Sequence, residues 1–539
     1  MTPFPRVLPV GGAALTVELG DGIDPLLNER VRALDASLAE RPTAGVLEAV
    51  PTYRSLLVVY DPRAAAFADV REALLERLQA PVRSVGASRV VEVPTVYGGV
   101  HGPDLVEVAA HLGLRPAEVA ARHAAGEYTA FMLGFTPGFA YLGLLAPELA
   151  TPRRATPRHQ VAAGSVAIAG LQTAVYPAQS PGGWNLIGRT SLRPWDPCAA
   201  SPALILPGDR VRFVAVHELT PPSSPPDTPP VSEAFPSVEV LYGGLLTSVQ
   251  DAGRFGRRRL GVGWSGAADG SALAEANGAV GNPPGTAALE CTVGGPALRF
   301  LAATRFAVGG ADLGAVLQRA DLGAWAVPLG RPVRARPGNV LSFTGRREGC
   351  RAYVAFAGGV DVPEVLGSRA TDIGAAFGGF AGRALRQGDL LGLGRPSPGG
   401  PRPGSEGRPS AGVPTIRVVL GPQEGAIEAS SVAAFLDATW TVGPDSDRVG
   451  CRLDGPRLSH RGSAEIVSDG MVPGCVQVPP DGRPIVMMAD CPSTGGYPKV
   501  AAVAPADLPR LAQALPGEGR IRFQAVSVEE AERANAEAR

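Results

Sequence analysis

A glycine-rich segment that occurs twice constrains the fold of this chain more than any other feature. Its first copy, residues 164–184, is GSVAIAGLQTAVYPAQSPGGW, and a looser copy, residues 474–500, is GCVQVPPDGRPIVMMADCPSTGGYPKV. Each copy has a Gly-x-Val-x-aliphatic strand, a second apolar strand and a Gly-Gly-aromatic turn, and the second has three extra residues before its aromatic. A repeated unit of this kind predicts two β-barrels that share one fold.

Apolar periodicity divides the chain into units. The first unit alternates strand and helix patterns, which predicts an α/β sandwich, and the second changes to short strands after two helices, which predicts a barrel. The later units are dominated by strands and turns, which 69 glycines and 53 prolines punctuate. We therefore expect a mostly β protein with an α/β N-terminal part. The predicted units are residues 1–88, 89–219, 237–394 and 415–539, separated by a Pro-rich linker at 220–236 and a Gly/Pro-rich connection at 395–414.

Composition excludes several classes of partner. The formal net charge of −1 provides no electrostatic reason to expect nucleic acid or an anionic membrane. No run approaches 18 apolar residues, and the first twenty residues form a poor signal-peptide core. The six cysteines lie far apart without a Cys-x-x-Cys pair, which predicts reduced thiols. We expect a cytoplasmic protein without a membrane span.

The basic residues include a single lysine, Lys499. Because Lys499 stands in GGYPKV, it fits neither a Walker A loop nor the exposed hairpin of a biotin carrier. The sequence therefore predicts no P-loop and no covalent biotin. The six histidines never occur at His-x-x-x-His spacing, and Gly-x-Ser-x-Gly is missing. We expect no metal site, and nothing indicates an esterase-type nucleophile.

Polar and aromatic groups surround the turn of the first copy. Its amides, hydroxyls and open backbone N–H groups suit an anion or a carbonyl oxygen, and the aromatics of FTPGFAY suit the faces of a planar ligand. The alternative is an ordinary hairpin corner with aromatics that belong to the core. The candidate binding residues are Phe135, Phe139, Gln172, Thr173, Tyr176, Ser180, Gly182, Gly183 and Trp184.

A second set of candidates accompanies the second copy. Loop carboxylates there could act as general acid or base if a pocket shifts their pKa values, and we name Asp251, Asp445 and Asp490 as candidate catalytic residues. The alternative for each is a solvated carboxylate or an Asx turn. The candidate binding residues of this set are Gln250, Arg254, Arg448, Thr494, Gly495, Gly496 and Tyr497.

Longer motifs resemble one enzyme family. MLGFTPGFAYLG, ATPRRATPR, the first glycine-rich copy and PGDRVRF resemble the B subunit of bacterial 5-oxoprolinase, also called KipI or allophanate hydrolase subunit 1. TSVQDAGRFGRRRLGV, SGAADGSALAEANGAVGN, AFAGGVDVPEVLGSR, SDRVGCRLDGP and the second copy resemble the C subunit, the KipA type. The resemblance covers nearly the whole chain outside the Pro-rich linker. It indicates a fusion of the two subunits.

The resemblance implies cyclophilin-like β-barrels at 89–219, 237–394 and 415–539, preceded by a ferredoxin-like domain at 1–88. It implies ATP-dependent opening of 5-oxoproline to glutamate together with a separate 5-oxoprolinase A subunit, and a pocket for a small amide or lactam. No nucleotide loop is recognisable in this chain, and a homo-oligomer is compatible with the family. Two alternatives stay open. One is a KipI/KipA-type regulator that inhibits a sensor histidine kinase, and the other is a biotin-dependent carboxyltransferase component acting on urea or another amide.

Overall fold

The computed structural model describes residues 4–80, 89–220, 235–398, 400, 402 and 412–537. Most of the predicted linker, residues 221–234, lies outside the described residues. The same holds for 399, 401 and 403–411 of the predicted Gly/Pro-rich connection.

The N-terminal unit is an antiparallel four-stranded sheet, in the order β1-β2-β4-β3, that packs against two helices. Helix α1 begins where the Asp24 carboxylate accepts a hydrogen bond from the Leu26 N–H, with Pro25 in the first turn. Its apolar residues Val31 and Leu34 pack on the sheet. This agrees with the expected ferredoxin-like arrangement, in which β1 is the strand at one edge of the sheet. The elements are β1 (Arg6–Pro9), β2 (Ala14–Glu18), α1 (Pro25–Glu40), β3 (Val46–Pro51), β4 (Ser55–Tyr60) and α2 (Phe67–Gln79).

The second unit is a closed seven-stranded barrel in the order β5-β12-β9-β10-β7-β6-β13, in which parallel pairing of β13 with β5 closes the circle. Strands β8 and β11 form a separate two-stranded ribbon. The elements are β5 (Val90–Tyr97), α3 (Leu105–Leu112), α4 (Pro116–Ala125), β6 (Glu127–Leu133), β7 (Ala140–Gly143), β8 (Arg158–Val161), β9 (Ser165–Ala169), β10 (Gln172–Val175), β11 (Ser180–Gly182), β12 (Asn185–Arg189) and β13 (Arg210–Ala215).

The third unit departs from the barrel expected for residues 237–394. It consists of a seven-stranded sheet, β20-β19-β22-β17-β14-β25-β24, and a five-stranded sheet, β15-β16-β23-β18-β21, with one apolar core between them. The first two strands enter different sheets, and neither sheet closes into a barrel among the residues that the structure describes. The elements are β14 (Pro236–Tyr242), β15 (Leu246–Gln250), α5 (Gly270–Val280), β16 (Ala288–Thr292), β17 (Ala297–Phe300), β18 (Thr304–Asp312), β19 (Ala315–Arg319), β20 (Gly323–Ala326), β21 (Val333–Ala335), β22 (Val340–Phe343), β23 (Glu348–Phe356), β24 (Val360–Asp361) and β25 (Leu390–Leu393).

The fourth unit is a second closed barrel, β26-β33-β30-β31-β28-β27-β34, which parallel pairing of β34 with β26 closes. Strands β29 and β32 again form a separate ribbon. The elements are β26 (Thr415–Leu420), α6 (Ala429–Asp437), β27 (Thr439–Val442), β28 (Gly450–Asp454), β29 (Asp469–Gly470), β30 (Cys475–Gln477), β31 (Ile485–Met487), β32 (Thr494–Gly495), β33 (Lys499–Val503), α7 (Leu508–Ala512), β34 (Arg520–Ala525) and α8 (Val528–Glu537).

The two barrels have the same strand order, which confirms the duplication predicted from the repeat. They also share an irregularity. In the first barrel the pairing of β9 with β12 skips Ile187, and in the second the pairing of β30 with β33 skips Val500. This register makes Leu186 and Lys499 equivalent positions, since each pairs with the third residue of the preceding repeat strand, Ala167 or Gln477.

The two ends of the chain are in contact. The Glu532 carboxylate of α8 accepts hydrogen bonds from the Tyr60 hydroxyl at 2.8 Å and from the Phe67 N–H at 2.6 Å. The Asn535 amide donates to the Gly12 carbonyl at 3.0 Å. The last unit is therefore held against the first. None of the described helices combines the length and apolar character needed to cross a membrane.

Candidate functional site at the junction of the two barrels

An aromatic wall covers the outer face of the first barrel beside the Gly-Gly-Trp turn. The ring of Phe139 lies 4.9 Å from that of Tyr141, 5.3 Å from Tyr176 and 5.8 Å from Trp184, in edge-to-face contacts. Phe135 adds a further edge contact at 5.4 Å. The first four rings are buried, whereas Phe135 is half-buried. The predicted residues Phe135, Phe139, Tyr176 and Trp184 therefore do come together, with the unpredicted Tyr141, as one rigid apolar surface.

The two glycines of the turn differ in how closely they are packed. A Cβ atom on Gly182 would lie 2.8 Å from Cζ of Tyr176, which real Cβ contacts do not tolerate. A Cβ atom on Gly183 would meet only Pro157, at 3.6 Å, an ordinary van der Waals distance. Glycine is therefore required at position 182 for the approach of the Tyr176 ring.

Replacing Gly182 by alanine should destabilise the protein by about 1–3 kcal/mol, because it forces the Tyr176 ring out of the aromatic wall. Gly183→Ala is the matched control, and it should leave the unfolding midpoint within experimental error. Urea unfolding of the two variants beside the wild type checks this. Equal effects of the two substitutions would contradict the packing argument.

The other predicted polar residues of the first set lie in different surroundings. Thr173 is fully buried inside the barrel, where its hydroxyl donates to the Ala167 carbonyl and hydrogen-bonds Nε2 of His123 at 2.9 Å. Burial lowers the pKa of His123 to about 3, so the ring is neutral. Gln172, at the start of β10, is half-buried. Ser180 is buried on the ribbon, and its hydroxyl has no hydrogen-bond partner among the described residues.

The second copy of the repeat contacts this wall directly. The Phe135 N–H donates to Oγ1 of Thr494 at 3.2 Å, and a Cβ atom on Gly134 would lie 2.7 Å from Cγ2 of Thr494. Burial raises the pKa of the Tyr141 hydroxyl, and hydrogen bonds with Thr494 and Ser468 partly oppose this. The candidate residues of the two halves, far apart in sequence, therefore meet at one junction.

A buried ion pair lies behind Thr494, and the sequence analysis missed it. Nζ of Lys499 is 2.7 Å from Oδ2 of Asp469, and both side chains are almost completely buried. The Ser55 hydroxyl of the N-terminal unit donates to Oδ1 of Asp469 at 2.5 Å, and the Gln423 amide donates to Oδ2 at 3.2 Å. Burial acts to raise the pKa of Asp469, but the Lys499 charge, the hydrogen bonds from Lys499 and Ser55 and the Arg54 charge together hold the pKa below its ordinary value.

The predicted Gly-Gly-Tyr residues belong to this Lys499 network. Asp469 pairs with Gly495 across the second ribbon, and Gln477 pairs with Lys499 in the barrel. The Gln477 amide donates to the Tyr497 carbonyl at 3.3 Å. Gly496 lies beside them, since its Cβ atom would be 3.8 Å from the Ser468 hydroxyl. The sequence did contain one signal for this network, because the single lysine of the chain stands two residues after the repeated Gly-Gly-Tyr turn.

A second buried charge cluster joins the two-sheet unit to the second barrel. Arg448 donates to both carboxylate oxygens of Asp490 at 2.8 and 2.9 Å, to Glu290 at 2.5 Å and to the Gly266 carbonyl at 2.7 Å. Burial acts to raise the pKa of Glu290, yet Arg448 and Arg351 hold it below its usual range. Arg448 and Asp490 were predicted together, whereas Glu290 was not.

The remaining candidates have structural partners. Arg254 is buried, donates to the Val365 and Ala370 carbonyls and lies over the Phe377 ring. Gln250 is buried and donates to the Ser248 hydroxyl and the Thr371 carbonyl. These contacts fix the segment before β25, and neither side chain belongs to the junction around Thr494.

Asp490 binds Arg448 rather than Lys499, and the other two predicted catalytic carboxylates also lie away from the Lys499 network. Asp251 accepts from the Gly253 N–H, the Ser368 hydroxyl and the Arg369 N–H. It also lines a cavity of about 220 Å³ with Arg369. Asp445 is exposed on the turn before Arg448. Neither forms a hydrogen bond or ion pair with a residue of the network in the described part of the chain.

Asp372 is a buried carboxylate that the sequence analysis did not select. Burial and the charge of Asp490 raise its pKa to about 6, while a hydrogen bond from the Ala375 N–H acts in the opposite direction. The folded state therefore binds a proton at Asp372 more tightly than the unfolded chain does. Between about pH 4 and about pH 6 this group makes the protein less stable as the pH rises.

Asp372→Asn should therefore raise the free energy of unfolding at pH 8 by about 2 kcal/mol, with a gain that shrinks as the pH falls toward 4. Asparagine carries no charge to bury, and its Oδ1 still accepts from the Ala375 N–H. Urea unfolding of both proteins at pH 4.5 and pH 8 measures the difference. A gain of the same size at both pH values would contradict the assigned cause.

Comparison with known proteins connects both halves to one family. Residues 5–205 match the model described as carboxyltransferase domain, subdomain C and D, and residues 260–525 match carboxyltransferase domain, subdomain A and B. The chain is 41% identical to the B subunit of 5-oxoprolinase from Bacillus subtilis, over 40% of this chain and 95% of that protein. It is 37% identical to the C subunit of 5-oxoprolinase from Escherichia coli, over 54% of this chain and 93% of that protein.

A crystal structure shows the same arrangement of all units in one chain. The structure of TTHA0988 has a TM-score of 0.83 and 37% identity, and the match covers 95% of this chain and 99% of that one. The chain therefore belongs to the carboxyltransferase-domain family that includes the B and C subunits of 5-oxoprolinase, and it joins the counterparts of both in one polypeptide.

Proposed function

We propose that this chain is the fused B–C component of a cytoplasmic, ATP-dependent 5-oxoprolinase, which opens 5-oxoproline to glutamate together with a separate A subunit. The relatives named as the B and C subunits of that enzyme support the proposal. The observation that carries it is the junction of Phe135 and Tyr141 with Thr494. Because each half supplies one side, a single lactam site requires both halves.

The chemistry of the junction suits a small lactam. The aromatic wall offers apolar edges and faces to a nearly planar ring, and the Lys499 network offers a buried cation, a carboxylate and two amides on the other side. Ring opening develops negative charge on the lactam oxygen, which a cation or N–H donor in a water-poor site stabilises strongly. Because these side chains are buried, we infer that the wall and the Thr494 ribbon separate when the ligand enters.

The residues of this chain do not fit an ATP phosphate site of the P-loop kind. Such a site needs a lysine at the end of a glycine-rich loop, and Lys499 is instead buried against Asp469 inside strand β33. We therefore assign no nucleotide contact to this chain and expect the A subunit to supply or share that site.

The decisive experiment combines the purified chain with the 5-oxoprolinase A subunit and measures glutamate released from 5-oxoproline with and without ATP. Glutamate should form only when both proteins and ATP are present. Each protein alone and the mixture without ATP are the controls. An inactive complete mixture, from proteins that are folded and associate, would contradict the proposal.

A carboxyltransferase component is the second candidate, because the matching family models bear that description. In that case the same junction would hold urea or another amide near carboxybiotin on a separate carrier. Biotin-dependent carboxylation of an amide by the chain with a carboxylase, and no glutamate release with the A subunit, would favour this candidate. Pull-down of a sensor histidine kinase without lactam binding would favour a regulator instead.

A further inference from the structure

A segment with three arginines lies across the Gly-Gly-Trp turn of the first barrel. The Arg154 N–H donates to the Gly183 carbonyl at 2.9 Å, and the Asn185 amide donates to the Pro152 carbonyl at 2.8 Å. Residues on both sides of Arg153 are therefore fixed to the turn and to the strand that follows it. This anchoring determines where the Arg153 backbone lies relative to the aromatic wall.

Two of the three arginines share an acidic partner, and the third has none among the described residues. Arg154 and Arg158 both bind Asp104, at 3.0 and 2.6 Å, and Arg154 also approaches Glu107 at 3.4 Å. Arg153 is exposed and forms no ion pair or hydrogen bond with any residue that the structure describes. Its guanidinium is thus a cation without a counterion in a segment whose other two cations are neutralised.

The Arg153 charge acts on the aromatic wall. Burial raises the pKa values of Tyr53, Tyr141 and Tyr176, and the Arg153 charge opposes this at all three hydroxyls. Its neighbour Arg154 is hydrogen-bonded to Gly183, next to Trp184 of the wall, so the Arg153 side chain starts from backbone beside the wall.

Buried polar groups without partners belong to the aromatic cluster and to the neighbouring ribbon. The Tyr53 side chain is buried, with its ring 5.9 Å from that of Tyr141, yet its hydroxyl has no hydrogen-bond partner among the described residues. The same is true of the Ser180 hydroxyl on the ribbon and of one terminal nitrogen of Arg158. A buried donor without a partner costs free energy in the absence of a ligand, and a ligand oxygen would remove that cost.

We propose that Arg153 and the Tyr53 hydroxyl bind the carboxylate of the lactam substrate and so distinguish 5-oxoproline from neutral amides. The proposal rests on the proposed function, which supplies the ligand. 5-Oxoproline carries a carboxylate beside its ring nitrogen, whereas urea and simple lactams carry none. A planar guanidinium matches a carboxylate in geometry as well as in charge, which favours arginine for this task.

The test compares two ligands that differ only in this group, 5-oxoproline and its neutral amide, 5-oxoprolinamide. Calorimetric titration of the full chain should show preferential binding of 5-oxoproline. Arg153→Gln should raise the Kd for 5-oxoproline by about tenfold or more and change the Kd for 5-oxoprolinamide by less than about twofold. Arg71→Gln, at an exposed arginine of helix α2, is the matched control and should alter neither value.

Tyr53→Phe provides an independent variant. It should also weaken 5-oxoproline selectively, and its unfolding midpoint should not fall, because the lost hydroxyl has no partner in the free protein. A wild type that does not prefer 5-oxoproline would overturn the proposal. So would Arg153→Gln affecting both ligands equally, or neither.

Failure of the subsite and failure of the proposed function give different results. If the chain and the A subunit release glutamate while Arg153→Gln keeps the wild-type KM for 5-oxoproline, the subsite is wrong and the enzyme assignment stands. If the ligand pair is distinguished as expected but no glutamate is released, the subsite stands and the 5-oxoprolinase assignment is wrong.

Discussion

Replacement of Lys499 by methionine is expected to destabilise the protein by about 3–5 kcal/mol, which is the usual cost of removing one partner from a buried ion pair. Asp469 would keep its hydrogen bonds from Ser55 and Gln423 but lose the only cation that contacts it among the described residues. Urea unfolding at pH 8 measures the loss. Methionine suits the test because it keeps most of the buried volume of the lysine stem.

A double-mutant cycle with Asp469→Asn isolates the pair. If the two charges interact as the structure shows, Lys499→Met combined with Asp469→Asn should cost clearly less than the sum of the single variants. Losses that add within about 0.5 kcal/mol would contradict the pairing.

The pH dependence offers a second check on the pair. Lys499 holds the pKa of Asp469 down, so in Lys499→Met the opposing effect of burial raises that pKa. The folded variant then binds a proton more tightly than its unfolded chain. Its deficit relative to the wild type should therefore shrink as the pH falls through the raised value.

The same variants separate stability from function. The double variant should recover much of the lost stability, yet it has neither the cation nor the carboxylate that the proposed lactam site uses. Glutamate release with the A subunit should therefore stay absent in the double variant even where it is fully folded. Recovery of activity together with stability would mean that the pair is only structural.

Much of the architecture follows from the repeat. Two copies of one strand-turn-strand pattern predict two equivalent barrels, because the same alternation of apolar residues has only one way to bury the same face. Tyr176 and Trp184 could be chosen for the same reason, since both flank the repeated turn. Phe139 was chosen from its own Pro-Gly turn, and its contacts with Tyr176 and Trp184 join segments that are distant in sequence.

The parts that sequence did not predict depend on distant contacts or on strand direction. Ser55 and Asp469 are 414 residues apart, and nothing near either residue indicates the other. Thr173 and Gln172 are neighbours, yet Thr173 enters the barrel interior. Both faces of β10 are covered, one by the barrel core and one by the aromatic wall. The apolar pattern of the strand therefore could not show on which face Thr173 lies. Lys499 was assessed only against nucleotide and biotin motifs, whereas its importance comes from its buried ion pair with Asp469.

Arg448→Met is the other substitution with a large expected effect, about 3–5 kcal/mol at pH 8. Arg448 is shared by Glu290 of the two-sheet unit and Asp490 of the second barrel, so its loss leaves two buried carboxylates without their common cation, and Asp490 in addition repels Asp372. The hydrogen bond to the Gly266 carbonyl at 2.7 Å is lost as well. We expect the contact between these two units to loosen first, and hydrogen exchange at β16 and β28 can locate it.

The pH dependence distinguishes charge burial from loss of packing in this variant. Without Arg448 the pKa of Glu290 is no longer held down to the same degree, and burial raises it, so the folded variant gains stability relative to the wild type as Glu290 becomes protonated. The deficit of Arg448→Met should therefore be smaller at pH 5 than at pH 8. Arg452→Met, the same change at an exposed arginine of β28, is the matched control and should stay within about 0.5 kcal/mol of the wild type at both pH values. A deficit that is independent of pH would show that Arg448 acts through packing alone, and it would remove the electrostatic basis for grouping Glu290, Asp372 and Asp490.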